Sequence, residues 1–538
     1  MTGRTLAHIV AEHANIRPDL PVLTVEGGGA RPDEVRNYLD LWDNGQRLAR
    51  GLRDLGMDAG DRFALLMANH AEFVEAMVAA AISGTVFVPI DPRTRGDRLA
   101  FMLRTTGCRG VIAADYALDG LASALPDAPG LRWAVVLDTG EAPPAGDVPS
   151  LPAGITVRRY PEVLIGSPTE LAIAGGDPDR PMQFIFTSGT TGDPKAIVMT
   201  HRRFCDTAAL APLIFGYAPD ERPYSGLSLT HANAQLVTLG ASLAGGLPCV
   251  LSRRFSKSRL WDITHRYGCT TFALLGGMTT AIYAEPPQPG DADNPVRVVI
   301  SSGMPAALWD DFEKRFGVRL LEFYGAAEGG LTIKPVGEGP VGSIGRPVPV
   351  LEHRIVDEQG RDCPPGVPGE LLFRNADHTP FAVQYWDRPD DSAAKCRDGW
   401  LHMGDVVRQD EDGWLYFEYR KGGGIRHNGE FIAPAVVEKV VAECPDVDDV
   451  HVYGVPAASG APGEKDVVAA AVPRDRAAFD PQSVFRACRA GLEPGAVPTY
   501  VQVLDQIPKT ASEKPQERFL LEAFEHDPDS VHTEQRGA

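Results

Sequence analysis

The sequence predicts an α/β protein, with a large N-terminal domain of layered sheets and helices and a small α+β domain at the C-terminus. The chain has 538 residues, which is too many for one ordinary hydrophobic core. Strand-like apolar runs alternate with helical patterns between residues 62 and 138, an order typical of a parallel sheet covered by helices. A glycine-rich stretch near residue 421 precedes a shorter set of helices and strands. We therefore expect domains over 1–419 and 420–526, followed by a disordered tail over 527–538.

Composition and charge limit the classes of protein to which this chain can belong. The hydrophobic fraction of 43% and charged fraction of 23% are those of a soluble globular protein. A net charge of −20 argues against nucleic acid or an anionic membrane as a partner. The eight cysteines are scattered without a C-x-x-C pair, so neither a zinc site nor a disulfide framework is expected. No signal peptide or long apolar run is visible, which predicts a cytoplasmic protein.

The first elements predict a β-α-β unit. Apolar and small residues recur at helical spacing from Tyr38 to Leu55, and Gly56 follows as a C-terminal cap. A strand over Arg62–Ala68, a helix over His70–Ser83 and a strand over Thr85–Ile90 come next. A helix near 98–106 and strands over Gly110–Ala114 and Trp133–Asp138 continue the sheet.

A loop rich in hydroxyl groups lies between two further apolar runs. Met182–Phe186 and Ala196–Met199 read as strands. The loop offers hydroxyls, unhindered backbone N–H groups and one cation, which suit the oxygens of a polyphosphate. Its spacing is not that of the P-loop, and the alternative interpretation is an ordinary flexible surface turn. The candidate ligands are Thr187, Ser188, Gly189, Thr190, Thr191, Gly192 and Lys195.

The order of residues in this loop resembles a known signature. T-S-G-T-T-G-D-P-K, from Thr187 to Lys195, is similar to the phosphate-binding motif of the adenylate-forming superfamily, which includes acyl-CoA ligases, peptide-synthetase adenylation domains and luciferases. Tyr324–Glu328 resembles Y-G-x-T-E, Gly399–Asp405 resembles G-W-x-x-T-G-D, and Pro508–Lys514 resembles P-K-T-x-x-G-K. The resemblance covers nearly the whole chain. Residues 245–251, 255–267 and 316–321 look most like the crotonobetaine/carnitine-CoA ligase branch.

The resemblance implies a role for each matching residue. Glu328 would bind Mg²⁺, since a carboxylate beside a triphosphate recruits a hard cation. Lys514 would bridge the acid and the α-phosphate of ATP during adenylation, on a small domain that rotates between steps. By default, a glutamate or lysine on a polar loop is only a solvated charge. The implied nucleotide ligands are Ser302 and Gly303 in a small-residue turn, Tyr324 and Gly325 at adenine, Asp405 at the ribose hydroxyls, and Arg420 at ribose and phosphate.

A substrate pocket is implied by a second segment. His231 and Gln235 lie where the superfamily places the aromatic or histidine residue that gates its carboxylate pocket, and Gly303 would border the same pocket. The alternative for His231 is an ordinary satisfied polar residue.

The chain also departs from the superfamily patterns. Ala327 replaces a threonine that would reach the α-phosphate, and Glu513 replaces a glycine in the lysine loop. Other departures are Ala196 for glycine, Tyr419 for the hinge aspartate, and Asn428-Gly429 for the paired glycines that line a pantetheine tunnel.

The superfamily chemistry uses ATP and Mg²⁺ to activate an acid as a mixed anhydride with AMP, releasing pyrophosphate. The acid attacks as an anion, so no nucleophilic side chain is required. CoA is the simplest acceptor, and a homodimer is common among such enzymes. The departures motivate a second hypothesis, an ATP-dependent diazotase of secondary metabolism that activates nitrite for attack by an aryl amine. A third is a non-catalytic nucleotide-binding pseudoenzyme.

Overall fold

The computed structural model describes residues 3–28, 31–140, 151, 154–164, 166, 171–174, 176–187, 194–421, 425–427, 430–432, 434–458, 465–492, 494–510 and 513–534. The chain divides into two compact units. The first consists of Met1–Phe255, Tyr267–Ala273 and Val383–Ala393, and the second of Ser256–Arg266, Leu274–Ala382 and Ala394–Ala538. These units do not coincide with the expected division between residues 419 and 420, which stays a prediction.

A largely parallel sheet forms the core of the first unit. Only the last strand is antiparallel, and it closes a hairpin on its neighbour. The predicted parallel sheet is therefore confirmed. Within the described residues its strand order is Thr156–Arg159, Trp133–Leu137, Cys108–Ala114, Arg62–Leu66, Val86–Ile90, Pro181–Phe186 and Ala196–Thr200.

The helices of the first unit begin and end where local chemistry favours it. The Asn37 side chain accepts a hydrogen bond of 2.7 Å from the backbone N–H of Asp40 and caps the helix Tyr38–Asp54. Gly56 follows that helix with a φ of +80°, as expected for a residue that ends a helix. The other helices are Leu6–Ile16, Ala71–Ser83, Gly96–Thr106, Leu118–Ala124, Tyr160–Val163, His201–Ile214 and Ala241–Gly245, with a π-helix over Ala234–Gly240 and short 3-10 turns at Asp115–Ala117 and Leu125–Asp127.

A second strand group also belongs to the first unit. Leu23–Val25 pairs in parallel with Cys249–Leu251 and antiparallel with Glu34–Arg36. Pro223–Ser225 lies parallel to Cys249–Leu251 and to the start of the strand Thr271–Leu275.

The second unit contains the strands that carry the predicted nucleotide motifs. Val298–Ser302 runs parallel to Arg319–Ala326, which pairs antiparallel with Gly329–Lys334. Arg319–Ala326 includes Tyr324 and Gly325, the two residues that the resemblance places at adenine. The remaining strands are Arg346–Pro347, Leu351–Val356, Gly369–Asn375, Cys396–Arg397, Trp400–Gln409 and Leu415–Arg420. Its helices are Leu260–Tyr267, Gly276–Tyr283 and Trp309–Phe316, with a 3-10 turn at Ala306–Leu308. In the helix Pro389–Lys395, residues 389–393 belong to the first unit and residues 394–395 to the second.

The C-terminal part has its own sheet and core. Buried apolar residues such as Val437, Val467 and Phe485 pack together in it. The α/β class, with a large N-terminal region and a smaller C-terminal part, is therefore confirmed. Its strands are Val447–Pro456, Lys465–Pro473, Tyr500–Val503 and Val531–Thr533, with a hairpin of Ile425–His427 and Glu430–Ile432. Its helices are Pro434–Ala442, Pro481–Gly491 and Glu517–His526, with 3-10 turns at Pro494–Ala496 and Pro528–Ser530.

The expectation of a disordered tail over 527–538 is wrong for residues 527–534. Val531–Thr533 pairs antiparallel with Tyr500–Val503, and Ser530 is buried. Glu534 also accepts two hydrogen bonds from Arg489. Backbone pairing to an existing strand holds this segment, so its polar composition was a poor guide. Residues 535–538 lie outside the described part of the chain. None of the helices seen in the described ranges is long and apolar enough to cross a membrane.

Candidate active site

Tyr324 and Asp405 meet at the centre of the candidate nucleotide site in the second unit. The phenolic hydroxyl of Tyr324 donates a hydrogen bond of 2.6 Å to Asp405 Oδ2. Asp405 is only 6% exposed, which suits a fixed acceptor. Burial and the adjacent Asp405 carboxylate raise the pKa of Tyr324, so the hydroxyl remains a donor at neutral pH.

Three predicted charged residues surround this pair. Arg420 lies opposite Asp405 in the hairpin of Trp400–Gln409 and Leu415–Arg420, with 3.9 Å between guanidinium and carboxylate. Burial lowers the pKa of Lys514, and the charge of Arg420 lowers it further, while Asp405 and Glu328 oppose the shift. Lys514 as a whole residue keeps solvent-accessible surface. The structure thus brings together five of the predicted residues, which are Tyr324, Glu328, Asp405, Arg420 and Lys514.

The lysine loop adopts a strained conformation at Glu513. Glu513 has a φ of +58°, which side chains other than glycine rarely adopt. This is the position where the superfamily pattern has glycine. Two hydrogen bonds close the loop. The backbone N–H of Thr510 donates to the Lys514 carbonyl oxygen at 2.8 Å, and the backbone N–H of Lys514 donates to the Thr510 hydroxyl at 3.2 Å.

The turn Ser302-Gly303 presents its backbone to solvent at the end of the strand Val298–Ser302. Gly303 is exposed and has a φ of +97°. A Cβ on Gly276 would lie 2.6 Å from the Gly303 carbonyl oxygen, so only glycine permits this approach. The carboxylate of Glu322 accepts hydrogen bonds from the backbone N–H groups of Gly303 and Met304. Burial raises the pKa of Glu322 to about 7.

Sequence reasoning missed Glu322. The signal that could have revealed it is an acidic residue inside the apolar strand Arg319–Ala326, where a carboxylate needs donors. Its contacts tie the predicted adenine turn to the strand that carries Tyr324.

The first unit holds the ends of the predicted phosphate loop. The backbone N–H of Thr187 donates to the carbonyl oxygen of Lys195 at 2.9 Å and closes the hairpin. Lys195 Nζ lies 2.6 Å from Asp391 Oδ1, and both side chains are partly exposed. Asp391 was also missed, because nothing in the local sequence relates two residues so far apart. The predicted ligands Ser188, Gly189, Thr190, Thr191 and Gly192 lie outside the described residues.

The predicted substrate-pocket residues have different surroundings. The Gln235 amide is fully buried; it donates to the Leu229 carbonyl at 2.7 Å and accepts from Gln183 at 2.6 Å. His231 is half-buried, and its Nδ1 accepts from the Asn233 backbone N–H at 3.3 Å. Gly303 belongs to the other compact unit. A shared pocket of His231, Gln235 and Gly303 therefore stays a prediction, and the bonding of Gln235 favours a structural role.

The fold and this cluster define an adenylate-forming type of enzyme. Residues 10–380 match the family described as AMP-binding enzyme, and residues 436–514 match the AMP-binding enzyme C-terminal domain. The chain belongs to the AMP-binding enzyme family. The resemblance found in its motifs is confirmed.

Relatives and a solved structure agree with this membership. The chain is 30% identical to the medium/long-chain-fatty-acid–CoA ligase FadD17 of Mycobacterium marinum, over 91% of this chain and 92% of the relative. It is 27% identical to the crotonobetaine/carnitine–CoA ligase of Escherichia coli, over 95% and 98% of the two chains. The anthranilate CoA ligase AuaEII, solved with anthranoyl-AMP, superposes with a TM-score of 0.83 at 21% identity, covering 98% and 99% of the chains. At that identity, the last comparison supports the fold alone.

Proposed function

We propose that this protein is an ATP- and Mg²⁺-dependent ligase that activates a carboxylic acid as an acyl-adenylate and transfers the acyl group to CoA. The observation that carries the proposal is the gathering of Glu328, Asp405 and Lys514 around Tyr324 and Arg420. A scaffold protein would not need these five groups together. Two of the relatives are named as CoA ligases, one of medium/long-chain fatty acids and one of crotonobetaine/carnitine, which supports carboxylates as the substrate class.

The nucleotide would be held by groups that are already fixed. Asp405 is positioned by the Tyr324 hydroxyl and would accept hydrogen bonds from both ribose hydroxyls. The turn at Gly303 would allow the adenine ring to lie against backbone, since no side chain intervenes. Binding in this way leaves the α-phosphate near Lys514, whose charge would offset that of the pentacoordinate transition state.

Glu328 is the residue that would hold Mg²⁺. A half-buried carboxylate fits this role, because Mg²⁺ in nucleotide sites takes one or two protein carboxylates and completes its shell with phosphates and water. When bound, the ion would neutralise phosphate charge. The attacking carboxylate is already an anion, so this chain supplies positioning and charge and needs no general base.

The activity is tested by measuring AMP and pyrophosphate release from ATP with a panel of aliphatic and aromatic carboxylates and nitrite. Each acid is supplied alone, with CoA, or with an aryl amine. We expect AMP release with one class of carboxylate and thioester formation only with CoA. Lys514→Ala should abolish AMP release while ATP binding persists. The exposed residue Lys314 provides a matched control, and Lys314→Ala should behave as wild type.

Two outcomes would overturn the proposal. Turnover confined to nitrite plus an aryl amine would establish the diazotase hypothesis, in which nitrite replaces the carboxylate. ATP binding without turnover on any acid would favour the pseudoenzyme. Ala327 and Glu513 depart from the superfamily pattern within the described site. For this reason the panel includes nitrite and an aryl amine in addition to carboxylates and CoA.

A further inference from the structure

A second lysine lies beside the cluster formed by Glu328, Asp405 and Lys514. Lys395 ends the helix Pro389–Lys395, directly before the short strand Cys396–Arg397. Its ammonium donates a hydrogen bond of 3.2 Å to the carbonyl oxygen of Met403. Met403 precedes Asp405 by two residues on the strand Trp400–Gln409, so the cation is tied to the strand that presents the ribose acceptor.

The turn after Glu328 packs against the same stretch of strand. Gly329 and Gly330 have φ values of +135° and +74°, which only glycine adopts without strain. A Cβ on Gly330 would lie 3.0 Å from Met403 Sδ, and one on Gly329 would lie 3.3 Å from Leu401. The turn at Gly329 and Gly330 therefore packs closely against Leu401 and Met403. This turn directly follows Glu328, so it brings Glu328 to the stretch of strand that Lys395 contacts.

Lys395 and Lys514 share their charged neighbours. Burial lowers the pKa of Lys395; Glu328 and Asp405 oppose the shift, and Arg420 adds to it. These are the same three groups that act on Lys514. Lys395, Lys514 and Arg420 carry three positive charges, and Glu328 and Asp405 carry two negative charges, so these five groups together have a net charge of +1. An excess of positive charge favours the binding of an anion such as a phosphate group.

The site is also short of one phosphate donor. Ala327 stands where a threonine hydroxyl would reach the α-phosphate in the superfamily pattern, and its methyl group cannot donate. A lysine ammonium carries three N–H donors. Resting on the proposed function, we propose that Lys395 is a second phosphate-binding cation, which contacts the α-phosphate of the bound nucleotide together with Lys514 and replaces the donor that Ala327 lacks.

The test compares ligands that differ only in the phosphate. AMP and adenosine are titrated into wild-type protein and Lys395→Met, which keeps the unbranched side chain and removes the charge. Loss of a charge-assisted hydrogen bond predicts that AMP affinity falls about tenfold to a hundredfold. Adenosine affinity should change less than about twofold, since no phosphate contact is lost. Lys314→Met, at an exposed position, is the matched control.

A double mutant supplies an independent measurement. Restoring the hydroxyl with Ala327→Thr should raise AMP affinity more in the Lys395→Met background than in wild type, because the two donors serve the same phosphate. Lys395→Arg should retain the preference for AMP over adenosine. An equal fall for AMP and adenosine would show a purely structural role and overturn the inference, as would unchanged AMP affinity. Failure of wild-type protein to bind either ligand would instead contradict the proposed function.

Discussion

The 2.6 Å hydrogen bond from Tyr324 to Asp405 joins residues that are 81 positions apart and ties a buried carboxylate to a strand of another sheet. Removing the hydroxyl would leave Asp405 without that donor while keeping the aromatic ring. Tyr324→Phe should therefore raise the KM for ATP by about tenfold with a smaller effect on kcat, as expected for a lost hydrogen bond to a charged group.

The sheet that contains Asp405 also offers a matched control for that prediction. Tyr416 donates to Asp410 at 2.9 Å, away from the cluster. Tyr416→Phe should leave the KM for ATP unchanged. Equal effects of the two substitutions would show that the bond at Tyr324 matters only for folding.

Glu322 should make stability depend on pH. Its pKa is about 7 in the folded protein, above the ordinary value of 4.5, because burial disfavours the carboxylate more than the Gly303 and Met304 N–H groups and Lys334 favour it. The folded state then holds a proton that the unfolded chain has released between those values. The free energy of unfolding should fall as pH rises from about 4.5 to 7, by about 3 kcal/mol at most, and level off above.

Urea unfolding at a series of pH values tests this sign. Glu322→Gln cannot ionise, so the difference between wild type and variant isolates the glutamate from other titrating groups, including Glu72, whose pKa is also raised to about 7. A difference that grows in favour of wild type with rising pH would contradict the prediction.

The Lys195–Asp391 pair should compete with phosphate. Their 2.6 Å contact is partly exposed, so it contributes less than about 1 kcal/mol to stability. If Lys195 binds the pyrophosphate part of ATP, it must leave Asp391 first. Asp391→Asn should lower the KM for ATP about twofold to fivefold at low salt, with the gain vanishing at high salt.

Two variants check the origin of that effect. Asp390→Asn changes an exposed carboxylate on the same helix and should have no comparable effect. In the Lys195→Met background, Asp391→Asn should no longer change the KM. A persistent gain there would mean that Asp391 acts on ATP through general charge and not through Lys195.

The backbone at Glu513 gives a prediction about side-chain shape. At a φ of +58°, a β-branched residue suffers more steric conflict than glutamate, and glycine suffers none. Glu513→Gly should therefore be more stable than Glu513→Val by at least about 1 kcal/mol, measured by chemical denaturation. Equal stability of the two variants would mean that the loop relaxes out of the left-handed region.

The sequence predicted elements better than it predicted contacts. The β-α-β order was enough for the parallel sheet, because strand and helix periods are local, and Gly56 marked a helix end for the same reason. Motif order pointed to Tyr324 and Asp405, but not to the bond between them. Asp391 went unnoticed because its partner Lys195 lies 196 positions away. Glu322 went unnoticed because the pairing of Val298–Ser302 with Arg319–Ala326 is what brings the Gly303 turn to its carboxylate.

The strand Val531–Thr533 has a practical consequence for anyone shortening this protein. It covers one side of Tyr500–Val503, whose other side pairs with Lys465–Pro473. Cleavage at residue 526, where the helix Glu517–His526 ends, would uncover a row of backbone N–H and carbonyl groups beside buried valines. Such bare sheet edges recruit one another, so the trimmed protein would gain a route to self-association. Affinity handles and fluorescent fusions are therefore better joined beyond residue 534 than in place of the final strand.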